Sequence, residues 1–261
     1  MSQTRELARR HLPPAIRKPL GGVAGLFQMY VMGWIRGAWF DLTGGRFRAD
    51  GCEYVIPKDI TSRVYRSCFV NGSYEAEERE LIRTYLRPTD TVLELGACLG
   101  IVSCMTNRIL TDKSRHVVVE GNPFCIPSLH RNRDLNRAGF LVENCAVSTK
   151  PEATFYLHPV YVVGGTTQRQ SKLPVRVPAR SLAELDSRHG PITALIMDIE
   201  GSELETFSAS AEQLKRYRLV IVELHDWAIG VDGVQKCRDL LSAAGLTFKQ
   251  RAGITEAWQR D

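Results

Sequence analysis

The sequence predicts an α/β fold in which helices cover both faces of a mainly parallel β-sheet. From residue 75 onward, short runs of β-branched and aliphatic residues alternate with amphipathic segments. The runs are almost continuously apolar, as is typical of strands buried on both faces. A chain of 261 residues, 44% of them hydrophobic, can bury the core of one large domain. Its ordinary composition excludes collagen-like, coiled-coil and wholly disordered proteins.

The first half of this pattern contains three helices and three strands in alternation. Pro88 limits the first helix, and Asn122 is expected to cap the third helix, with Pro123 at its first position. The predicted helices are residues 75–86, 100–110 and 122–137, and the predicted strands are residues 91–95, 116–120 and 140–147.

The second half continues the alternation after an irregular segment. Ser181 and Glu184 have the spacing of a capping box, which predicts a short helix. The predicted strands are residues 192–199, 218–224 and 246–249, with a helix over residues 233–244 before the last. The irregular segment, residues 153–177, is either a lid or acceptor-binding loop or a plain hairpin insertion.

The excess positive charge lies entirely near the N-terminus. Residues 1–50 hold eight Lys or Arg against three acidic residues, whereas residues 51–261 carry no net charge. A nucleic-acid-binding protein is expected to carry a basic surface on its folded domain, so this distribution argues against nucleic acid as a partner. We therefore divide the chain into a basic and apolar arm, residues 1–50, and a main domain, residues 51–261.

The cysteines predict free thiols. There are seven, an odd number, with no CxxC pair and no histidine at the spacing of a zinc site. Free thiols are typical of a reducing compartment, so we expect a cytoplasmic protein.

The arm contains an uncharged stretch, residues 19–35, that is rich in large apolar side chains. As a helix it would be about 26 Å long, slightly short of a bilayer's hydrocarbon core, so a spanning helix is not expected. Pro13 and Pro14 interrupt the leader, which does not fit a signal peptide.

Two interpretations of this stretch remain. In the first, it packs as an apolar arm on the main domain or on a partner subunit. In the second, it contacts the inner face of the membrane peripherally, through aromatic side chains on one helix face and basic residues beside them. The aromatic residues are Phe27, Tyr30 and Trp34, and the basic residues are Arg9, Arg10, Arg17 and Lys18.

A glycine turn follows the first strand of the main domain, in residues 94–100 (ELGACLG). Such a turn lets the backbone approach a ligand closely, although any tight strand-to-helix turn can look the same. Cys98 and Ile101 occupy the later glycines of a GxGxxG fingerprint, which weakens a dinucleotide site. Glu120 ends the second strand and can accept hydrogen bonds from the two hydroxyls of a ribose, or is merely a solvent-exposed acid.

Five motifs in this order resemble the FkbM-type S-adenosylmethionine-dependent methyltransferases. They are ELGACLG, VVVEGNP, NCAVS (residues 144–148), MDIEGSELE (197–205) and VELH (222–225). The resemblance covers roughly residues 70–250 and implies a class I, Rossmann-like methyltransferase fold with a mainly parallel seven-stranded sheet. It also implies methyl transfer from S-adenosylmethionine, typically to a hydroxyl group of a sugar, a glycan or a small-molecule natural product.

The resemblance assigns seven residues to the cofactor. Glu94, Gly96, Ala97 and Gly100 would line its methionine part, Glu120 its ribose, and Asn122 and Ala146 its adenine side. The family more often has Asp and Asn where Glu94 and Cys98 stand, and a Lys where Ile196 stands.

Asp198 and His225, at the ends of adjacent predicted strands, are the candidates for removing the proton of the acceptor. The ordinary pKa of histidine, about 6.5, makes His225 the expected base, although a structural histidine is an equal alternative. Glu200 is the third candidate catalytic residue, and it or Glu223 would orient the histidine or substrate. We expect no metal, although Asp198, Glu223 and Asp226 offer oxygen ligands for Mg²⁺.

Three classes of function are therefore compared. A methyltransferase binds S-adenosylmethionine and turns over, whereas a dinucleotide oxidoreductase binds NAD. A catalytically inactive, methyltransferase-like module tethered by residues 1–40 to a membrane or partner would bind the cofactor poorly, or bind it without turnover. The sequence does not indicate the oligomeric state or the acceptor.

Overall fold

The structure, a computed structural model, describes residues 22–70, 72–157, 165–166 and 174–260. The helices are α1 (Gly22–Leu42), α2 (Arg63–Arg66), α3 (Ala76–Tyr85), α4 (Ile101–Ile109), α5 (Ile126–Leu135), α6 (Leu182–His189), α7 (Glu203–Ser208), α8 (Ala211–Leu214) and α9 (Asp226–Ala243). The strands are β1 (Arg46–Ala49), β2 (Cys52–Val55), β3 (Val92–Leu95), β4 (His116–Val119), β5 (Leu141–Glu143), β6 (Ala146–Val147), β7 (Glu152–Leu157), β8 (Gly165–Thr166), β9 (Pro174–Arg180), β10 (Ala194–Met197), β11 (Leu219–Glu223), β12 (Thr247–Ala252) and β13 (Thr255–Gln259).

A seven-stranded sheet lies at the centre, in the order β12-β13-β11-β10-β3-β4-β5. The five strands from β11 to β5 are parallel, and β13 is antiparallel to both of its neighbours. The chain proceeds from β3 to β4 and β5 on one side and returns to β10 on the other, so the strand order switches at β3. The predicted mainly parallel seven-stranded sheet is confirmed, and ligands are expected at the carboxyl ends of β3 and β10.

The central strands form because every residue in β3, β4 and β10 is buried. Alternate side chains enter different apolar clusters: Leu93 and Leu95 pack on one face of the sheet, and Val92 packs on the other. This two-sided burial explains why the strands appear in the sequence as unbroken apolar runs.

The prediction of one continuous strand over residues 140–147 is wrong. This segment divides into β5, in the central sheet, and β6, which pairs with β9 in a four-stranded sheet of order β6-β9-β7-β8. The Asn144 side-chain amide donates to the Glu120 carbonyl at 2.7 Å and fixes the bend between the two strands. β7 and β9 pair as an antiparallel hairpin, as one interpretation of residues 153–177 expected. Residues 158–164 and 167–173, which include most of the expected lid, lie outside the described residues.

Two predicted helix starts and the last strand are also corrected. Asn122 does not cap a helix: its Oδ1 accepts from the Phe124 amide at 3.0 Å in a preceding turn, and α5 begins at Ile126. α9 begins at Asp226 rather than at residue 233, with a break at Gly230. The last strand, β12, is longer than predicted and is followed by β13, which the sequence pattern did not indicate.

Helix α1 packs closely on α2. A Cβ atom on Gly37 would lie 1.8 Å from the Arg63 carbonyl oxygen, so only glycine permits this approach. The Arg66 guanidinium pairs with Asp41 at 2.7 and 2.8 Å. The hairpin of β1 and β2 crosses the expected boundary at residue 50 and joins α1 to the main domain through one buried aromatic cluster.

The other side of α1 is apolar and exposed. Its large apolar side chains are between 43% and 82% exposed: Tyr30, Met32, Trp34, Ile35, Trp39 and Leu42. Among the described residues, no helix has both the length and the apolar character needed to cross a membrane. The Phe27 side chain and the basic residues Arg9, Arg10, Arg17 and Lys18 lie outside the described residues.

Candidate active site

The glycine turn after β3 lies directly against the end of β10. Gly96 has a φ of 94°, and a Cβ atom there would lie 1.6 Å from the Asp198 carbonyl oxygen. Gly100 has a φ of 78° and contacts Leu129 of α5, where a Cβ would meet a methyl carbon at 2.5 Å. Gly96 therefore joins the turn to the Asp198 segment, whereas Gly100 packs one helix on another.

The Glu120 carboxylate faces this turn. Its two oxygens accept the backbone N–H groups of Cys98 and Asn122, each at 2.6 Å, and the residue is 5% exposed. A carboxylate offers about four acceptor positions, so acceptor positions for hydroxyl groups remain. Burial raises the pKa of Glu120 to about 7, against the lowering effect of the two backbone hydrogen bonds.

Glu94 lies in the centre of β3 and is fixed by two polar neighbours. One carboxylate oxygen accepts from the Ser103 hydroxyl, and the other lies 3.1 Å from His116 Nε2. Glu94 also lines a cavity, together with Gly96 and Ala97.

This cavity has a volume of about 30 Å³, and three further acidic residues line it: Glu75, Glu78 and Asp198. Room of this size suits about one water molecule or the end of a flexible arm, not a nucleoside. Burial raises the pKa of Glu75 to about 8, with a further contribution from Glu223 and Glu200.

His225 lies at the end of β11 among four carboxylates. Its Nδ1 lies 2.8 Å from Glu203 Oε1, and Nε2 lies 3.5–3.6 Å from one oxygen of each of three other residues. Those three are Asp198, Glu200 and Glu223. Because ionised Glu203 can only accept, Nδ1 carries the hydrogen and Nε2 faces the other carboxylates.

The carboxylates around His225, together with burial, shift the pKa values of both His225 and Asp198. Burial alone would lower the pKa of His225, but the hydrogen bond to Glu203 and the surrounding carboxylates raise it well above 6.5. Burial raises the pKa of Asp198 well above its usual value, and Glu223 adds to this effect while His225 opposes it. Asp198 Oδ1 is buried without a hydrogen-bond partner among the described residues.

Two sets of side chains at this edge have the geometry of metal ligands. They are Asp198, Glu200 and His225, and Glu75, Asp198 and Glu223; within each set the ligand atoms lie within 4.8 Å of one another. Asp226, a ligand suggested by the sequence, belongs to neither set.

Three residues at this edge have a left-handed backbone that side chains rarely adopt. Cys98, Glu75 and Glu200 have φ values of 50°, 49° and 53°. Local strain of this kind is often found at functional sites.

The structure brings together all three candidate catalytic residues and places Glu94, Gly96 and Ala97 beside them. Glu120 and Asn122 lie next to each other at the end of β4, while Ala146 is buried in β6. Sequence reasoning missed Glu75, Glu78 and Glu203. Glu203 stands inside the MDIEGSELE motif, two residues after Gly201, which was its only signal.

The strand order, with the glycine turn on the central strand and acids at the ends of its neighbours, defines the class I methyltransferase fold. A family model described as the methyltransferase FkbM domain matches residues 94–246, more than half of the chain. The chain therefore belongs to the FkbM methyltransferase family, and its cofactor is S-adenosylmethionine.

Several solved structures are similar to this chain. The O-methyltransferase TomG from Streptomyces achromogenes, involved in tomaymycin synthesis and solved with S-adenosylmethionine, is 16% identical, with 89% of this chain and 90% of that chain covered and a TM-score of 0.47. A putative O-methyltransferase from Klebsiella pneumoniae is 13% identical, with coverage of 95% and 94% and a TM-score of 0.45. The ribosomal protein L11 methylase from Lactobacillus delbrueckii subsp. bulgaricus is also 13% identical, with coverage of 70% and 77% and a TM-score of 0.45. No curated protein matches the sequence.

Proposed function

We propose that this protein is an O-methyltransferase that methylates a hydroxyl group of a sugar, a glycan or a small-molecule natural product. The observation that carries the proposal is the position of Asp198, which connects the two halves of the site. Its carbonyl oxygen packs on Gly96, and its carboxylate lies 3.6 Å from His225 Nε2. His225, which can take a proton, therefore lies close to the glycine turn at which the cofactor is expected.

The residues present fit S-adenosylmethionine. The close approach at Gly96 leaves no room for a side chain, and the Glu120 carboxylate faces the same turn. We assign Glu94, Gly96, Ala97 and Gly100 to the methionine part of the cofactor, Glu120 to its ribose, and Asn122 and Ala146 to its adenine side. When bound, S-adenosylmethionine supplies an electrophilic methyl group on a sulfonium centre.

His225 is proposed as the base. The neutral imidazole would accept the hydroxyl proton of the acceptor at Nε2 as that oxygen receives the methyl group that S-adenosylmethionine would supply. Glu203 holds the ring in the required tautomer through Nδ1, and Asp198 and Glu200 orient the acceptor and stabilise the imidazolium that results. Alignment of the two reacting groups and exclusion of water account for the remaining rate enhancement.

We further propose that the protein is cytoplasmic and contacts the inner face of the membrane through α1. Its six exposed apolar side chains and the basic charge of residues 1–50 support this contact. Seven free cysteines are consistent with a reducing compartment.

Calorimetry with S-adenosylmethionine and with NAD tests the cofactor, and a product-release assay on candidate hydroxyl acceptors then tests turnover. We expect binding of S-adenosylmethionine alone, loss of that binding in Glu120→Ala, and loss of turnover with intact binding in His225→Ala. Binding of NAD would overturn the proposal. Binding without turnover on any acceptor would instead support an inactive, tethered module.

A further inference from the structure

Glu78 is a buried carboxyl group to which the proposed mechanism gives no role. It lies on α3, is 4% exposed, and lines the cavity beside Gly96. Within the described part of the chain, its side chain makes no hydrogen bond or ion pair, and the charge of the neighbouring Arg79 is what lowers its pKa. The adjacent Arg79 guanidinium is committed elsewhere, to Asp50 and to two backbone carbonyl groups.

The other three acidic residues that line the cavity have neighbouring groups that offset the burial of their carboxyl groups. Glu94 is held by Ser103 and His116, and Asp198 faces His225. Glu75 groups with two other acids, Asp198 and Glu223, and a hydrogen bond from Tyr74 partly offsets their effect on its pKa. Of the four, Glu78 is the one whose carboxyl group has, in the described structure, only the charge of the neighbouring Arg79 to compensate it.

A buried carboxylate without a counter-charge is unstable. Burial, together with the negative charges of Glu75, Glu223 and Glu94, raises the pKa of Glu78 well above its usual value, against the lowering effect of Arg79. A cationic group that entered this cavity would therefore gain a strong, charge-assisted interaction.

S-adenosylmethionine carries two positive groups, the sulfonium and the α-ammonium. Only the ammonium has N–H donors, and it lies at the end of a flexible arm, which suits a cavity of about 30 Å³. The cavity adjoins Gly96 and Ala97, which are assigned to the methionine part. We propose that Glu78 binds the α-ammonium group of S-adenosylmethionine, an inference that rests on the proposed function.

The test compares three ligands by calorimetry on the full chain. S-adenosylmethionine has both positive groups, S-adenosylhomocysteine has only the ammonium, and 5′-methylthioadenosine has neither. The variants are Glu78→Gln, Glu78→Asp, and Glu80→Gln as a matched control, because Glu80 is exposed on the same helix. Thermal unfolding of each variant confirms that it is folded.

We expect Glu78→Gln to weaken S-adenosylmethionine and S-adenosylhomocysteine alike, by about 10- to 100-fold, and to leave 5′-methylthioadenosine unchanged. Glu78→Asp should give a smaller loss, and Glu80→Gln none. An equal loss for all three ligands, a loss for S-adenosylmethionine alone, or no loss would overturn the assignment of Glu78. If the unmodified protein binds none of the three ligands, the proposed function fails instead.

Discussion

His225 Nδ1 lies 2.8 Å from Oε1 of Glu203, a residue with no exposed surface. The Gly201 amide donates to the same oxygen at 2.9 Å, so two contacts hold Oε1, while Oε2 is buried without a hydrogen-bond partner among the described residues. This hydrogen bond both orients the imidazole and raises its proton affinity, as a carboxylate that accepts from a histidine Nδ1 generally does. Glu203 is therefore a positioning residue for His225.

The first prediction concerns the pH dependence of turnover. A base must be neutral, and because the pKa of His225 is raised well above 6.5, kcat/KM should keep rising as pH increases beyond neutrality. Glu203→Gln keeps an acceptor for Nδ1 but removes the charge, so the rising limb should move to lower pH by about one unit. The control is Glu205→Gln, exposed on the same helix, which should leave the profile in place. An unshifted limb in Glu203→Gln would show that His225 is not the titrating base.

A second prediction concerns Glu120 and the affinity for S-adenosylmethionine. In the proposed site, ionised Glu120 would accept the ribose hydroxyls, and burial raises its pKa to about 7. Its neutral form therefore accumulates as pH falls below that value, and the Kd should increase. Glu120→Gln should bind about 10- to 100-fold more weakly and lose this pH dependence, as measured by calorimetry from pH 6 to about pH 8. Glu152→Gln, at an exposed site, serves as the control; a pH dependence that survives in Glu120→Gln would refute the role.

Gly96→Ala tests the contact between the turn and β10. A Cβ at this position would overlap the Asp198 carbonyl, so the backbone must shift and both stability and cofactor binding should fall. Gly44 is a matched control, because its φ of 98° is similar and a Cβ there meets no atom within 4 Å. Urea unfolding should show Gly96→Ala less stable than Gly44→Ala by about 2 kcal/mol or more. Equal losses would mean that the turn does not depend on this contact.

Metal removal is the fourth test. His225 lies among these carboxylates, and its pKa is raised well above 6.5, which favours its protonated, positively charged form. A divalent cation would have to compete with that proton. We therefore expect EDTA to leave turnover unchanged and added Mg²⁺ or Mn²⁺ not to stimulate it. A loss of activity that Mg²⁺ restores would assign Asp198, Glu200 and His225 as ligands.

The fifth prediction concerns the exposed side of α1. Co-sedimentation should show the protein on vesicles containing phosphatidylglycerol and not on phosphatidylcholine alone, because the arm is basic. Replacing Trp39 and Leu42 by Ser should reduce this binding several-fold, since both side chains are largely exposed. Val231→Ser, at an equally exposed apolar position, is the control. Dimerisation lost in the Trp39 and Leu42 variant, without vesicle binding, would identify a second copy as the partner of α1.

The central strands could be predicted because their environment is uniform. Every position of β3, β4 and β10 is buried, so the local sequence alone indicates a strand. β13 could not be found in this way. Glu256 stands in its middle and is 1% exposed, because Arg238 of α9 pairs with its carboxylate at 2.6 Å. A charge buried by a partner 18 residues away leaves no sign in a local apolar pattern.

The same limit applies to the site. The strand-end residues Asp198 and His225 could be predicted to lie together, because parallel strands end at one edge. Glu78 could not, since the surrounding EAEERE run has the composition of an exposed helix face. Its burial results from the packing of α3 beside the glycine turn, a long-range contact. That contact arises only when the sheet is assembled.

The glycine contact of α1 sets a limit for shortening this protein. α1 enters the interior at Gly33, Gly37 and Phe40, and Phe40 packs on Phe69 with ring centroids 5.9 Å apart. A truncation that ends before Gly33 would remove the basic leader and keep these contacts. One that ends after residue 40 would uncover Phe69 and remove most of α1, the helix that contains Asp41, the partner of Arg66, so the product would be an unstable domain.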